Sequence, residues 1–375
     1  MIDRFQLPQV QAALRQGKAI ILTGPRQVGK TTLMQIVAGK LDTAVFWMTG
    51  DDPAVRTLLE NISLARLKAV VGDHQIVVID EAQRLTNAGL TLKLMTDHLP
   101  GVQLLVTGSS SLDLAAQTKE SLVGRKWDYT LLPLSFAEMC AHHGLLQEMS
   151  LLEQRLIYGY YPEVVMQGTP HAARILHDLS DGLMYKDLLS LEQVRKPALL
   201  VKILQALALQ ISREVRYHEI AQLVGADPVT VERYIDLLEQ TFVVFRLRSL
   251  SRNVRNELKK GCKVYFYDTG IRNALIKNFN PLSLRADTGA LWENFLVVER
   301  LKRNLYQGYT PNMFFWRTTA QQEIDYVEEY GGKLYAWEFK WKPGTRTTFP
   351  KVFLQAYPGS ETMLIHPDNM EAFIL

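Results

Sequence analysis

A short apolar run that breaks into a glycine-framed loop constrains the fold of this chain more than any other feature. Ala19 to Leu22 reads AIIL, which is typical of a buried strand. The next segment, Gly24 to Thr31, reads GPRQVGKT and fits the spacing G-x-x-x-x-G-K-[ST] without a gap. Thr31 to Ala38 then has the apolar spacing of a helix. The sequence therefore predicts a strand, a phosphate-binding P-loop and a helix in direct succession.

The spacing of the P-loop follows from the chemistry of phosphate. Two glycines let the backbone curl so that N–H groups point at phosphate oxygens, and the helix beginning near Lys30 adds its dipole. Lys30 supplies a positive charge, and Thr31 supplies a hydroxyl for Mg²⁺, which prefers oxygen ligands. We therefore expect ATP and Mg²⁺ as cofactors. The residues assigned to the nucleotide are Gly24, Pro25, Arg26, Gln27, Val28, Gly29, Lys30, Thr31 and Thr32.

A second apolar run ends in two carboxylates. Gln75 to Ala82 reads QIVVIDEA, so a buried strand would deliver Asp80 and Glu81 at its end, the pattern of a Walker B motif. Asp80 is predicted to hold Mg²⁺ together with Thr31. Glu81 is predicted to polarise the water that attacks the γ-phosphate, with Lys30 stabilising the developing charge.

A further strand, Val102 to Val106, is followed by Thr107, Gly108 and three serines that begin at Ser109. A polar side chain at the end of this strand can sense the γ-phosphate, and Ser109 is assigned that role. An ordinary hydroxyl-rich loop is the alternative.

Several motifs together resemble those of the prokaryotic AAA-type ATPases that carry a C-terminal domain of unknown function. They read GPRQVGKTTL, VVIDEAQR, LLVTGSSS, LVGRKWDYTLLPLSFAEM, GYYPEVV and YFYDTGIRNAL, and they span nearly the whole chain. The resemblance implies an AAA-type α/β core, ATP hydrolysis and a homo-oligomer. It also implies that Arg125 reaches the nucleotide of a neighbouring subunit, with a salt bridge at the surface or inside the fold as the alternative. Where many AAA proteins have an asparagine, this chain has Ser109 and Ser110.

A chain of 375 residues is longer than one core usually organises, so several domains are expected. The predicted fold class is α/β: a P-loop NTPase core of the AAA type, then a winged helix-turn-helix, then a small α/β nuclease-like domain. The predicted segments are residues 1–135 for the core, 136–195 for a helical linker or lid, 196–270 for the winged helix and 271–375 for the C-terminal domain.

The winged helix is inferred from three helical patterns and two strand patterns. The predicted helices are Leu199 to Ile211, Tyr217 to Val224 and Pro228 to Gln240, with Gly225 as the turn residue between the last two. Phe242 to Leu247 and Cys262 to Tyr267 then read as strands. This order predicts a helix-turn-helix followed by a wing.

DNA is the expected partner of the wing, since its basic residues can neutralise phosphates without reading sequence. The formal net charge of +3 is too small to indicate nucleic acid alone, so any footprint must be local. The second helix is net acidic, with Arg233 among four acids. A solvated hairpin or a subunit contact is the alternative. The residues assigned to DNA, beside Lys263, are Arg246, Arg248, Arg252, Arg255, Lys259 and Lys260.

The C-terminal segment resembles the core of the PD-(D/E)xK nucleases. Asp325 lies on one predicted strand, and Glu338 and Lys340 share a face of the next. The resemblance implies that Asp325 and Glu338 hold a divalent cation, Lys340 positions water and Glu293 completes the site from a helix. The alternatives are a solvated charged strand, and a fold of this type that does not cut.

The remaining features predict a cytoplasmic protein without a membrane partner. The two cysteines are far apart and in no metal-ligand spacing, and no run approaches the ~18 apolar residues of a membrane span. The sequence thus predicts an ATPase that binds and remodels DNA, including branched or broken DNA. The alternatives are a nucleotide-switched regulatory or protein-interaction ATPase and an ATP-licensed, metal-dependent nuclease.

Overall fold

The computed structural model describes residues 2–41, 43–109, 122–183, 188, 194, 196–250, 261–345 and 348–375. The chain divides into two compact units. Unit 1 comprises Met1–Pro133 with Gln240–Phe242, and unit 2 comprises Leu134–Glu239 with Val243–Leu375. The first division thus falls beside the predicted boundary at residue 135. The further boundaries predicted at residues 195 and 270 both lie inside unit 2, and the four-part division stays a proposal.

Unit 1 alternates strands and helices along the chain. Its strands are β1 (Ala19–Thr23), β2 (Val45–Thr49), β3 (Ile76–Asp80), β4 (Gln103–Gly108) and β5 (Lys126–Thr130). Its helices are α1 (Gln6–Ala12), α2 (Lys30–Gly39), α3 (Pro53–Leu59), α4 (Leu64–Val71) and α5 (Ala88–His98), with a 3₁₀ turn at Ala82–Arg84.

The sheet of unit 1 is entirely parallel, with the strand order β2-β3-β4-β1-β5. The α/β class with a parallel core is therefore confirmed. Strand β4 lies between the P-loop strand β1 and the Walker B strand β3. Because all five strands run in one direction, the residues that follow them gather at one edge.

The central strands of unit 1 are apolar on both faces, which is why they read as continuous runs in the sequence. Ile21, Val77, Ile79 and Val106 are at most 1% exposed and belong to one cluster, into which Leu92 of α5 packs. Packing in this cluster fixes where each strand ends along the strand direction. It therefore also fixes the position of the polar residues that follow the strands.

Unit 2 begins with a run of helices. These are α6 (Phe136–His143), α7 (Leu145–Ser150), α8 (Leu152–Tyr158), α9 (Pro162–Gln167), α10 (Thr169–Gly182), α11 (Pro197–Leu209), α12 (Tyr217–Val224) and α13 (Pro228–Gln240). Further on lie α14 (Thr269–Leu275), a 3₁₀ turn (Leu282–Leu284), α15 (Thr288–Gln307), α16 (Lys351–Ala356) and α17 (Glu371–Ile374). Its strands are β6 (Glu214–Val215), β7 (Val244–Ser249), β8 (Cys262–Phe266), β9 (Asn312–Arg317), β10 (Glu323–Tyr330), β11 (Lys333–Phe339) and β12 (Glu361–Ile365).

The strands of unit 2 form one mixed sheet in the order β12-β11-β10-β9-β7-β8-β6. The strands predicted for the wing, β7 and β8, are thus joined to those predicted for the nuclease-like domain. The joint is parallel pairing between β7 and β9, at Arg248 opposite Phe314 and Ser249 opposite Phe315. Parallel pairing of distant segments leaves no local turn signal, so sequence patterns do not show it.

A buried ion pair lies inside unit 2. Arg300 of α15 donates from Nε and Nη2 to both carboxylate oxygens of Glu328 on β10, at 2.9 and 2.6 Å. Asn304 and Tyr326 also donate to Glu328 Oε1, at 2.7 and 2.9 Å, and Glu328 is fully buried. Both oxygens of this buried carboxylate are thereby hydrogen-bonded, as a buried charge requires.

We therefore expect Glu328→Gln to lower the free energy of unfolding by about 3 kcal/mol, because it leaves the Arg300 charge buried without its counter-ion. The midpoint of urea unfolding of the full chain measures this. Glu329→Gln, on the next and partly exposed residue, is the matched control and should shift the midpoint little. Equal shifts in the two variants would contradict the assignment.

Candidate nucleotide site

The P-loop leaves the carboxyl end of β1 and runs into α2. Gly24 has φ 147°, and a Cβ there would come within 2.0 Å of the Leu131 carbonyl oxygen, so this position requires glycine. Gly29 is the N-cap of α2 with φ 94°. The loop therefore ends at the N-terminus of a ten-residue helix, where backbone N–H groups and the helix dipole favour an anion.

Lys30 is only 5% exposed and is turned toward its own loop. Its Nζ donates to the carbonyl oxygens of Gly24 at 2.9 Å and Pro25 at 2.7 Å. These carbonyls partly compensate the buried ammonium and keep it at the loop. A phosphate oxygen held by the same loop would compete for these protons with a full negative charge, which makes the stronger hydrogen bond.

Asp80, at the end of β3, is joined to two threonines. Thr31 Oγ1 donates to Asp80 Oδ2 at 2.9 Å, and Thr107 Oγ1 makes a short hydrogen bond to Asp80 Oδ1. The two residues that the sequence assigns to Mg²⁺ are thus in direct contact although they are 49 positions apart. Thr107 was assigned no role from the sequence. Its signal was its place at the end of β4, one residue before Gly108.

Glu81 follows β3 in a left-handed conformation with φ 52°, which is uncommon for a residue with a side chain. Its N–H donates to Thr107 Oγ1 at 3.1 Å. Gly50, after β2, makes room for it, because a Cβ at Gly50 would come within 2.3 Å of the Glu81 carbonyl oxygen. Strain of this kind persists where surrounding contacts hold it, and it is common at functional sites.

Gln83 connects two residues of the predicted site. Its Nε2 donates to Glu81 Oε2 at 2.5 Å and to Ser109 Oγ at 2.7 Å. Sequence reasoning missed Gln83, whose only signal was its position two residues after Glu81. Ser109 is 5% exposed and is thus linked to Glu81, while Ser110 lies outside the described residues. The sensor role of Ser109 stays a prediction.

Arg125 forms an ion pair within unit 1. Its Nε donates to Asp97 Oδ1 at 2.5 Å, and its side chain is 47% exposed. The alternative role from the sequence, a salt bridge at the surface or inside the fold, thus has a partner in Asp97. A role toward the nucleotide of a neighbouring subunit stays a prediction.

The residues gathered at this edge fit ATP and Mg²⁺. Glycines leave the space that a close approach of phosphate needs, and Lys30 supplies the charge. The Thr31 hydroxyl and the Asp80 carboxylate are the hard oxygen ligands that Mg²⁺ prefers. Bound Mg²⁺ would neutralise charge on the phosphates and leave the ordering of water to side chains of this chain.

The residues predicted for a nuclease-like site lie close together in unit 2. Asp325 and Glu338 share a side-chain hydrogen bond, and Lys340 Nζ lies 3.7 Å from Glu338 Oε2. Glu293 of α15 approaches through Lys263 of β8, whose Nζ lies 2.8 Å from Glu293 Oε1 and 3.7 Å from Asp325 Oδ1. The sequence reading had placed Lys263 among the basic residues of the wing.

Burial and charge shift the pKa values of this cluster in opposite directions. Burial, followed by the hydrogen bond with Asp325 and the charge of that carboxylate, raises the pKa of Glu338 above its ordinary value, so Glu338 supplies the proton of the shared hydrogen bond. Burial raises the pKa of Asp325, but Lys263 and this hydrogen bond outweigh it and lower the value. Burial raises the pKa of Glu293 to about 7 against the opposing effect of Lys263. Within the described residues, no group of three or more His, Cys, Asp or Glu side chains is arranged to hold a metal ion.

The basic residues assigned to DNA have different surroundings. The Arg246 guanidinium donates to Glu239 Oε2 at 2.9 Å from Nε, to Asp236 at 2.5 Å and to Tyr217 at 2.9 Å, so it is bound inside unit 2. Arg248 is exposed on β7. The other assigned residues lie outside the described part of the chain: Arg252, Arg255, Lys259 and Lys260.

Comparison with known families identifies the N-terminal domain. A family model described as an AAA domain matches residues 16–140. Two further models, each described as a domain of unknown function, match residues 149–282 and 288–372. The chain therefore contains an AAA-type P-loop domain followed by C-terminal regions of families without an assigned function. In the described residues no helix is long and apolar enough to cross a membrane.

Similar proteins occur in bacteria and archaea. A protein of Mycobacterium tuberculosis described as uncharacterized is 28% identical over 357 residues, which cover 92% of this chain and 74% of that protein. An uncharacterized protein of Methanocaldococcus jannaschii is 21% identical over 339 residues, 85% of this chain and 74% of that protein. Among solved structures, RuvB of Thermotoga maritima is 18% identical with a TM-score of 0.33, covering 68% of this chain and 93% of that chain. A TM-score this low supports no conclusion about this chain.

Proposed function

We propose that this chain hydrolyses ATP at the carboxyl edge of the unit 1 sheet. The observation that carries the proposal is the 2.9 Å hydrogen bond from Thr31 to Asp80, which brings the P-loop and the Walker B strand together. Glu81 follows Asp80 directly and belongs to the same hydrogen-bond network through Thr107. A loop that merely turned between strand and helix would need none of these contacts.

Each residue has a distinct part in the proposed reaction. The P-loop backbone and Lys30 bind the phosphates, and Lys30 stabilises charge that grows on the γ-phosphate. Thr31 and Asp80 hold the metal ion, directly or through water. Glu81 orients and polarises the attacking water, and Gln83 holds the Glu81 carboxylate between turnovers.

Lys30→Ala and Glu81→Gln should therefore fail in different ways. Lys30→Ala loses the charge that binds the phosphates, so it should not bind a fluorescent ATP analogue. Glu81→Gln keeps every binding group but not the base, so it should bind normally and release phosphate about 10²–10⁴-fold more slowly. Exposed Glu60 provides the matched control, Glu60→Gln, with turnover unchanged. Hydrolysis by Glu81→Gln at the rate of the parent would remove the role given to Glu81.

We further propose that ATP turnover serves to remodel DNA bound by unit 2, including branched or broken DNA. Exposed Arg248 and the basic residues of the following segment support this, because exposed arginines bind phosphates of any sequence. The order of α12, α13, β7 and β8 also agrees with a winged helix, which we propose for this region.

A protein partner is the second candidate, and a different observation favours it. Leu223 at the end of α12 and Val229 at the start of α13 are 65% and 75% exposed. Exposed apolar side chains beside an acidic helix suit a protein surface better than a phosphate backbone. In that case the chain would be a regulatory ATPase whose binding to the partner is switched by the nucleotide. The third candidate, an ATP-licensed nuclease, depends on the carboxylate cluster of unit 2.

Stimulation of ATP turnover by DNA separates the first two candidates. We expect single-stranded, duplex or junction DNA to raise the rate of phosphate release. Arg248→Glu combined with Arg252→Glu should weaken binding to all sequences alike and flatten its salt dependence, since fewer counterions are released. Arg233→Glu reverses another exposed arginine and should matter less. Unchanged turnover with every DNA, together with unchanged binding by the double variant, would favour the protein partner.

A further inference from the structure

The carboxylates of the nuclease-like region converge on an amino group of the chain itself. Lys263 lies on β8, and its side chain is buried, with the residue only 1% exposed. Its Nζ lies 2.8 Å from Glu293 Oε1, 2.5 Å from Glu323 Oε1 and 3.7 Å from Asp325 Oδ1. One ammonium thus contacts acids from α15 and β10 at once. A divalent cation shared by these acids would need the position that the ammonium occupies.

The carboxylate oxygens around Lys263 are further engaged by other donors. Tyr265 Oη donates to Glu293 Oε1 at 2.7 Å, and the Phe339 N–H donates to Asp325 Oδ2 at 2.9 Å. Arg317 Nε lies 3.7 Å from Glu323 Oε2. The acids are therefore compensated in the fold by two cationic side chains and fixed donors, as buried charges must be.

The position of Asp325 has a local cause. The pairing of β9 with β10 shifts register between Ile324 and Val327, on either side of Asp325. Such a shift turns a side chain away from the direction that strict alternation gives it. Asp325 can then accept from the main chain of β11 and face Lys263, which lies three strands away in the order β10-β9-β7-β8.

We infer that Lys263 is the built-in cation of this centre, so that unit 2 has a nuclease-like arrangement of acids that takes no divalent metal ion and does not cut DNA by metal-dependent chemistry. The inference is independent of ATP hydrolysis in unit 1. A metal ion could enter only if the Lys263 ammonium left its acids. The ammonium would then be buried beside a dication without a counter-ion, and both charges would oppose that state.

Manganese binding to the full chain tests the inference. The protein carries Thr31→Ala and is kept free of nucleotide, so that the candidate site in unit 1 contributes little. Parent chain and Lys263→Met are titrated with MnCl₂, and the melting temperature and the bound Mn²⁺ are recorded, the latter by electron paramagnetic resonance. Lys263→Met keeps most of the length and the apolar character of the stem and removes the ammonium group with its charge and hydrogen-bond donors. Lys263→Met with Asp325→Asn is the matched control.

The inference predicts no Mn²⁺ bound in unit 2 of the parent, and one Mn²⁺ bound by Lys263→Met with a rise in melting temperature of about 4 °C or more at saturation. The double variant should lose that response. Mn²⁺ binding by the parent that Asp325→Asn abolishes would overturn the inference, and so would a folded Lys263→Met that binds none. If Lys263→Met does not fold, Lys263→Gln replaces it. If neither folds alone, recovery of the fold in Mn²⁺ supports the inference, and failure to recover contradicts it.

Discussion

The hydrogen bond between Thr31 and Asp80 is the contact on which the candidate site of unit 1 depends. It joins the P-loop to the residue at the end of β3. These two segments are distant in the sequence, and β4 lies between their strands in the sheet. The contact exists only if β1, β3 and β4 end at the same height. Their ends are set by the apolar cluster below, so packing of the sheet interior determines the spacing of polar groups at its edge.

The residues around this contact divide into those that bind and those that hold other residues in place. Glu81 has an uncommon backbone conformation, which Thr107 and the space at Gly50 permit. Gln83 then fixes its carboxylate. The water-polarising role that we propose for Glu81 requires the carboxylate to keep its direction while phosphate and water are exchanged, and these three neighbours give it that constraint.

Local patterns predicted the α/β class of unit 1 and the glycine-framed loop between β1 and α2, because the causes of these features are local. The spacing from Gly24 to Thr31, the apolar run before Asp80 and the bounds of α12 and α13 all follow from neighbouring residues. Tertiary packing brings Thr107 and Lys263 to their partners, and Gln83 reaches Ser109 from 26 positions away, and a linear pattern contains none of these contacts. The same holds for Arg246, a basic residue in the sequence whose charge is used inside unit 2 by Asp236 and Glu239. A group of basic residues in the sequence therefore indicates an exposed basic surface only if those residues are not paired with acids inside the fold.

A crystal structure of the chain with Mg²⁺ and a slowly hydrolysed ATP analogue tests the proposed site most directly. We expect Lys30 Nζ to leave the carbonyl oxygens of Gly24 and Pro25 and to bind phosphate. We also expect Mg²⁺ to be held by Thr31 and Asp80, and a water to lie between Glu81 and the γ-phosphate. Phosphates bound away from the P-loop, or Mg²⁺ bound without contact to Thr31 or Asp80 directly or through water, would contradict the proposed site.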